Sequence, residues 1–265
     1  MKNQLVTTLI AATATLTGFV SKVDTASAAG FVWDNSWTQP TIYSKAQTGF
    51  DDAPFQQFVS AERLPLANSG LLQLDPTKLK LNYDYDVTAY FINQVAWNRN
   101  QLAYQATGTT NQSGLVFKVV PSKDPKYAAD PNNYLLKPGD GVKLGKITAG
   151  TQLDFFLRAD GYVRGNSSYT FSTQNAAANP DGLQHVVSFA YSKDEYVVLG
   201  FEDLFGGFGK QQNSDRDFND LVVVLDIGKG NLVSVPEPSV ALSLVAIGAV
   251  SILGLRRRRQ TNTAN

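Results

Sequence analysis

The residues whose types could support chemistry are mostly acidic, and they lie in two short segments of the C-terminal half of the chain. The first segment follows an apolar run that ends at Phe201, and the second leads into the apolar run 221–225. Six side chains supply the oxygen atoms: Glu202, Asp203, Asp215, Asp217, Asn219 and Asp220. Ca²⁺ takes six to eight such carboxylate, amide and carbonyl oxygens, so the sequence predicts a calcium site.

The spacing within the second segment supports this interpretation. Asp215, Asp217 and Asn219 occupy every second position, and an extended backbone points alternate side chains to one side. The first half of an EF-hand loop has the same spacing, but its sixth position is Gly, and here it is Asp220. Because the next residues read as a strand and not as a helix, the site is not an EF-hand.

Two other interpretations remain open. In the first, the acids are solvated turn residues without a ligand. In the second, they catalyse hydrolysis. A glycosidase needs two carboxylates, one of which is kept protonated by apolar surroundings. Glu202 or Asp203 would be the acid/base, although the crowding of acids isolates no single one. We therefore expect no enzymatic activity and keep a polysaccharide hydrolase as the alternative.

Composition excludes other kinds of site. The 265-residue chain has no Cys and a single His, His185, so disulfides, cysteine nucleophiles and most zinc sites are ruled out. No G-x-S-x-G motif accompanies His185, for which we expect a structural hydrogen-bonding role. Residues 30–234 contain 17 basic and 21 acidic residues, and without a basic stripe we expect no nucleic-acid binding.

Short apolar runs separated by turn residues predict an all-β body, a jelly-roll-like β-sandwich over residues 80–227. No long amphipathic helix lies between these runs, which disfavours a parallel α/β fold. The predicted strands are 87–95, 115–120, 142–147, 153–157, 169–172, 185–191, 196–201 and 221–227. Aromatic residues at Trp97, Tyr104 and Tyr162 can stack on sugars, but aromatics at strand positions are more often core.

Residues 29–79 are expected to form an N-terminal extension that packs on this body. Phe55, Phe58 and Val59 can line one short helix after Asp52. Trp33 and Trp37 are expected to anchor a strand or loop, and residues 228–234 read as a linker.

The N-terminus has the features of an export signal. Lys2 precedes the apolar run 5–20, and Ala26 and Ala28 are the small residues that a signal peptidase reads. Residues 1–28 are therefore predicted to form a helical signal peptide that signal peptidase removes.

The C-terminus combines three features in order. Pro236-Glu237-Pro238 precedes the uncharged stretch 239–255, and four arginines, 256–259, follow it. The stretch predicts a single transmembrane helix, and the arginines place the C-terminus in the cytoplasm. Residues 235–265 resemble the PEP-CTERM sorting signal, and the ending is similar to cyanobacterial examples. The resemblance implies recognition by an exosortase and transfer towards the cell surface or its exopolysaccharide.

The acidic segments carry a second resemblance. The sequence GFEDL…GG…DRDFNDLVV, residues 200–223, is similar to the signature of the domain-of-unknown-function family 4114 (DUF4114), found in exported bacterial proteins. Upstream likenesses at 87–104, 139–162 and 179–186 extend it over residues 80–227. Two differences are Gln94, where an acid is expected, and the long glycine-rich loop 205–214.

These observations together predict an exported cell-surface or extracellular-matrix protein. Its β-sandwich would bind calcium, and its role would be structural or adhesive, in association with exopolysaccharide. The alternative is a surface hydrolase that acts on polysaccharide through the same acids.

Overall fold

The strands follow the apolar runs of the sequence. The computed structural model describes residues 30–59, 71–191, 195–209 and 212–232. The strands of this part are β1 (Leu72–Leu74), β2 (Tyr85–Asn93), β3 (Gln101–Thr107), β4 (Gln112–Phe117), β5 (Gly141–Ile147), β6 (Gln152–Arg158), β7 (Thr170–Ser172), β8 (Val186–Tyr191), β9 (Tyr196–Phe201), β10 (Phe208–Gly209), β11 (Gln212–Asn213) and β12 (Leu221–Asp226).

The strands form two main antiparallel sheets. The larger has the order β1-β8-β9-β12-β2-β5, and the smaller has the order β4-β3-β6-β7. β10 and β11 form a separate two-stranded ribbon. The all-β prediction is therefore confirmed as two antiparallel sheets in a sandwich-like arrangement, whereas the jelly-roll connectivity stays a prediction.

The main hydrophobic core lies between the two sheets. The larger sheet contributes alternate residues such as Val87, Ala89 and Phe91, and the smaller sheet contributes Leu102 and Phe155. Alternate side chains of a strand point to opposite faces, so each strand gives every second residue to this core.

The N-terminal segment covers the outer faces of both sheets. Phe50 and Phe55 pack on the outer face of the larger sheet, and the Phe50 ring stacks on Tyr90 of β2 at 3.8 Å. Phe31 stacks on Phe156 of the smaller sheet at 3.6 Å, and Trp33 packs beside it. The cover over the larger sheet, together with the inter-sheet core, explains why both faces of β2 are apolar in sequence.

Helices in the described residues are short. The two α-helices are α1 (Lys45–Thr48) and α2 (Gly161–Arg164). The 3₁₀ helices are Ala53–Phe58, Pro76–Lys78, Pro125–Tyr127, Pro131–Tyr134, Gly165–Ser167 and Ala176–Ala178. The helix expected after Asp52 is thus a 3₁₀ helix, and Trp33 and Trp37 lie in loops.

One long strand is not among those predicted. β3 lies at the centre of the smaller sheet between β4 and β6, and its Gln101 and Gln105 obscure the apolar pattern. Both polar side chains lie on the outer face with Ala103, while Leu102 and Tyr104 enter the core. The short strands β1, β10 and β11 were also not predicted.

The sequence beyond Asp226 contacts the body. Leu232 pairs with Leu81 in an isolated bridge, and the Asn82 N–H donates to the Asn231 carbonyl oxygen at 2.8 Å. Residues 228–232, which sequence reasoning assigns to a linker, therefore have tertiary contacts with the segment before β2.

Two predicted segments lie outside the described residues. These are the signal peptide 1–28 and the sorting segment 235–265 with its predicted span 239–255. Within the described ranges, no helix has the length and apolar character to cross a membrane.

Candidate functional site

The strand register brings the two acidic segments together. β9 and β12 are antiparallel neighbours, and Phe201, the last residue of β9, pairs with Leu221, the first residue of β12. The residues that follow β9 therefore lie beside those that precede β12, at one end of the larger sheet. β8 begins at the same end, since Val186 also pairs with Phe201.

Three of the six predicted side chains converge at this end. Carboxylate oxygens of Glu202, Asp215 and Asp217 all lie within 4.8 Å of one another. Glu202 is fully buried and Asp217 nearly so, while Asp215 is the most exposed of the three. Ligand oxygens on opposite sides of a Ca²⁺ ion are about 5 Å apart, so these carboxylate oxygens could hold such an ion.

The other three predicted residues surround this cluster with hydrogen bonds of their own. Asn219 Nδ2 donates to Asp217 Oδ2 at 2.8 Å, and the Asp203 N–H donates to Asp220 Oδ2 at 2.8 Å. The Asp203 carboxylate accepts from two asparagines of the β2–β3 connection. The structure therefore places all six residues at one end of the sheet and brings the carboxylates of three of them close enough together to hold one metal ion.

Asn98 and Asn100 bind the Asp203 carboxylate. Asn100 Nδ2 donates to Asp203 Oδ2 at 2.6 Å, and Asn98 Nδ2 donates to Asp203 Oδ1 at 3.0 Å. Sequence reasoning missed this role. The alternating Asn-Arg-Asn at 98–100 is a signal for it, because both amides fall on one side of the connection.

The backbone before β12 adopts an uncommon conformation. Arg216 and Phe218 have φ angles of 59° and 61°, in the left-handed region that non-glycine residues seldom adopt. They alternate with the acids, and the Arg216 N–H donates to Glu202 Oε2 at 3.1 Å. Such strain persists only where surrounding contacts impose it, and it is often found at functional sites.

The site holds protons more tightly than ordinary carboxylates do. Burial raises the pKa of Glu202 to about 7 and that of Asp203 to about 6. Burial and the neighbouring charges of Asp203 and Glu202 raise the pKa of Asp220 well above its usual value. Ionisation of these three carboxyls together therefore costs free energy, and a bound cation would offset that cost.

Among the described residues, no basic side chain forms an ion pair with Glu202 or Asp215. The basic residue next to them in the chain, Arg216, donates from Nη2 to the Gln184 carbonyl oxygen and lies over the Phe218 ring. Its guanidinium is therefore engaged elsewhere and does not neutralise these two carboxylates.

A cavity opens beside the cluster. Its volume is 190 Å³, and Asp203, Asp215, Asp217, Asn219 and Asp220 are among its wall residues. Glu202 is not, so it lies behind the wall while the other acids face the opening. The site is accessible to an ion or a small polar molecule.

His185 supports the site without facing it. The ring is fully buried and stacks on Phe171 at 3.6 Å. Nδ1 lies 2.9 Å from the Glu202 carbonyl oxygen, and Nε2 lies 2.8 Å from Asp181 Oδ2. Burial lowers the pKa of His185, and these two hydrogen bonds act in the opposite direction. The contacts agree with the structural role that the sequence predicts for His185.

The three aromatic residues considered for sugar contact have different environments. Tyr104 is a core residue whose hydroxyl donates to the Leu144 carbonyl oxygen, and Tyr162 lies against the Arg99 guanidinium at 4.4 Å. Trp97 is 68 % exposed and lines the cavity beside the acids.

Comparison with known proteins gives a family match over part of the chain. No curated protein and no solved structure matches the chain significantly. The match to a family model begins at Ile147, the last residue of β5, so the likeness inferred upstream, over residues 80–146, lies outside it. Residues 147–228, which include both acidic segments and His185, match the family described as Domain of unknown function (DUF4114), and the match supports the assignment of this segment to that family.

Proposed function

We propose that the acidic end of the larger sheet binds Ca²⁺ and that the ion stabilises the sandwich. Glu202, Asp215 and Asp217 would be the principal ligands. The observation that carries the proposal is their convergence: carboxylate oxygens from two separate segments lie within 4.8 Å of one another.

The ion would join two parts of the fold. Glu202 follows β9, and Asp215 and Asp217 belong to the loop before β12, so one Ca²⁺ would fix that loop to the end of the sheet. Asp203, Asn219 and Asp220 would support the ligands through hydrogen bonds. In a chain without cysteine, such a crosslink would replace a disulfide.

We propose a structural or adhesive role for this domain outside the cell. The signal peptide 1–28 and the PEP-CTERM-like segment 235–265 support export, exosortase processing and association with exopolysaccharide. A membrane helix over 239–255, with its C-terminus in the cytoplasm, would hold the protein at the surface before processing. The body would be a jelly-roll-like sandwich.

Thermal unfolding of the full-length chain across a calcium series tests the metal site. A ligand at about one hundred times its dissociation constant adds roughly 2.7 kcal/mol to the free energy of unfolding. For a domain of this size we expect the melting temperature to rise by roughly 5–10 °C.

The matched pair Asp217→Asn and Asp86→Asn supplies the control. Asp86 is exposed on β2 and lies outside the acidic cluster. Asp217→Asn should abolish the calcium-dependent shift, and Asp86→Asn should retain it. A melting temperature that does not respond to millimolar calcium, or a shift that survives Asp217→Asn, would rule out the proposed site.

One observation favours the hydrolase as a second candidate. A pKa of about 7 suits Glu202 to donate a proton at neutral pH, as the general acid of a glycosidase does. Its complete burial behind the cavity wall argues against contact with a polymer. Cleavage of a polysaccharide by the calcium-free protein, abolished in a folded Glu202→Gln variant, would replace the structural proposal with the hydrolase.

A further inference from the structure

A second cavity lies on the other side of the β2–β3 connection from the acids. Its volume is 370 Å³, within the range of about 300–1,000 Å³ in which small-molecule sites fall. The end of β2 forms one wall, and the segment 121–138 with its two 3₁₀ helices forms the other. None of the six acidic-cluster residues lines it.

Internal hydrogen bonds hold the second wall in place. The Ser122 N–H donates to Asn133 Oδ1 at 2.7 Å, and Asn133 Nδ2 donates back to the Ser122 carbonyl oxygen at 3.0 Å. The Tyr134 hydroxyl donates to the Ala128 carbonyl oxygen at 2.8 Å, which fixes the ring. The cavity is therefore formed before any ligand enters.

The amide oxygen of Gln94 has no hydrogen-bond partner in this structure. The residue lines the cavity and is only 4 % exposed, and its Oε1 is buried without a donor. A buried acceptor without a donor costs free energy, because the oxygen has lost its hydrogen bonds to water and gained none in the protein. A hydroxyl group that entered the cavity could donate to this oxygen after a rotation of the side chain and so remove the cost.

Two lysines give the cavity its charge. Lys123 and Lys137 line it and are exposed, and neither forms an ion pair with any described residue. Asp124, the acid among the lining residues, is paired with Lys126 at 2.6 Å. The two ammonium groups are thus available for an anion.

Apolar rings form another part of the lining. Tyr134 is 56 % exposed, and Pro121, Pro125 and Pro138 stand around the same space. Aromatic and proline rings present the kind of surface on which the C–H face of a sugar ring packs. An aliphatic ligand would leave Gln94 and both lysines unpaired, and a neutral sugar would leave the lysines unpaired.

We propose that this cavity binds an anionic sugar unit, a hexuronate residue of an acidic polysaccharide. The sugar ring would pack against Tyr134 and the prolines, a hydroxyl group would donate to Gln94, and the carboxylate would lie between Lys123 and Lys137. The site is separate from the acidic cluster, and its occupation requires no calcium.

Calorimetric titration of the full-length chain in EDTA tests this site. The probes are a galacturonic acid trisaccharide, the neutral galactose trisaccharide and a triglutamate peptide. We expect the uronate to bind at least tenfold more tightly than either other probe. EDTA separates this result from the calcium proposal, because uronate binding without calcium stands even if the metal site fails.

The variants assign binding to the cavity. Lys123→Ala with Lys137→Ala should weaken uronate binding at least tenfold, and Gln94→Leu should weaken it severalfold. The charge-matched double variant Lys80→Ala with Lys118→Ala, at residues outside the cavity, should bind as the unmodified chain does. If Gln94→Leu does not fold, the double variant at the exposed residues Lys123 and Lys137 still tests whether uronate binds in the cavity.

Three outcomes would overturn the proposal: no uronate binding, equal binding of the neutral sugar, or uronate binding that survives loss of both lysines. Preferential binding of triglutamate would identify the cavity as a site for acidic peptide and would likewise overturn it.

Discussion

Asp203 shows how one buried carboxylate depends on residues that are distant in the sequence. Its two oxygens accept hydrogen bonds from Asn98 and Asn100, about a hundred positions earlier in the chain. Asn100 is fully buried, and its Oδ1 also accepts from the Asp160 N–H at 2.9 Å. This asparagine therefore connects the acidic end of the sheet to the segment that follows β6.

Replacement of Asn100 should be costly. Asn100→Ala removes one hydrogen bond to a carboxylate and one to a backbone N–H, so we expect a loss of roughly 2–4 kcal/mol in the free energy of unfolding. Asn98→Ala removes only a hydrogen bond to the Asp203 carboxylate, at a partly exposed position. For this variant we expect a loss of roughly 1–2 kcal/mol in the free energy of unfolding. Urea denaturation measures both. Equal losses would mean that the Asp160 contact contributes nothing.

The raised pKa values predict how the calcium-free protein responds to pH. Glu202 and Asp203 hold protons in the folded state, with pKa values of about 7 and about 6, that the unfolded chain releases nearer pH 4. Where the folded state binds more protons than the unfolded state, the free energy of unfolding falls as pH rises. The lowered pKa of His185 acts in the opposite direction, but Glu202, Asp203 and Asp220 together outweigh one imidazole. We therefore expect the free energy of unfolding to fall between pH 5 and pH 7.5 in urea titrations without calcium.

Calcium should remove this dependence, because a bound cation favours the ionised carboxylates. Glu202→Gln removes one of the carboxyls with a raised pKa and should flatten the calcium-free profile, provided that the variant folds. A stability that rises with pH over this interval in the calcium-free protein would contradict the raised pKa values of Glu202 and Asp203.

At the scale of elements, the N-terminal segment completes the larger sheet. Phe55, in the 3₁₀ helix 53–58, packs against the outer face together with Phe50 and Tyr191. Without this cover, the outward residues of β2, β8, β9 and β12 would be exposed to water. The family match does not include the N-terminal segment, although this segment packs against the matched strands β8, β9 and β12.

Truncation of Phe55 tests this dependence. Phe55→Ala should lower the free energy of unfolding by about 3–5 kcal/mol, the usual cost of removing a buried aromatic ring. Val32→Ala, at a position 81 % exposed, should change it by less than about 0.5 kcal/mol. Denaturant titration compares the two, and a Phe55→Ala value near that of Val32→Ala would show that the segment adds no stability.

At the scale of the whole molecule, one core joins the two sheets and the N-terminal segment is layered on both. The inter-sheet core takes residues from strands of both sheets, and two of the three tryptophans, Trp33 and Trp37, pack beside Phe31 on the smaller sheet. Two smaller clusters, one on the outer face of each sheet, attach the N-terminal segment to the sheets that share this core.

We therefore expect a single cooperative unfolding transition. Far-UV circular dichroism reports the strands, and tryptophan fluorescence reports mainly the cover over the smaller sheet. The two transitions should coincide within error. Loss of fluorescence at a lower denaturant concentration would show that the N-terminal cover detaches before the sandwich unfolds.

The sequence predicts most of the strands, because half-buried or fully buried strands keep a local apolar pattern. It does not predict β3, because Gln101 and Gln105 lie on the outer face of this strand and give its sequence the polar pattern of a loop. It does not reveal the pairing order β9-β12-β2 either, because antiparallel neighbours can be distant in the chain and register is a property of the assembled sheet.

The sequence by itself determined which oxygen-bearing side chains the site could use, since the clustered acids are visible without any structure. Only the tertiary structure decided which of these side chains converge as potential metal ligands and which are engaged in hydrogen bonds around them. The pairing of Phe201 with Leu221 sets Glu202 beside Asp215 and Asp217, and the β2–β3 connection engages Asp203 through asparagines. The physical reason is that ligand geometry depends on contacts between distant strands, whereas ligand chemistry is a property of each residue.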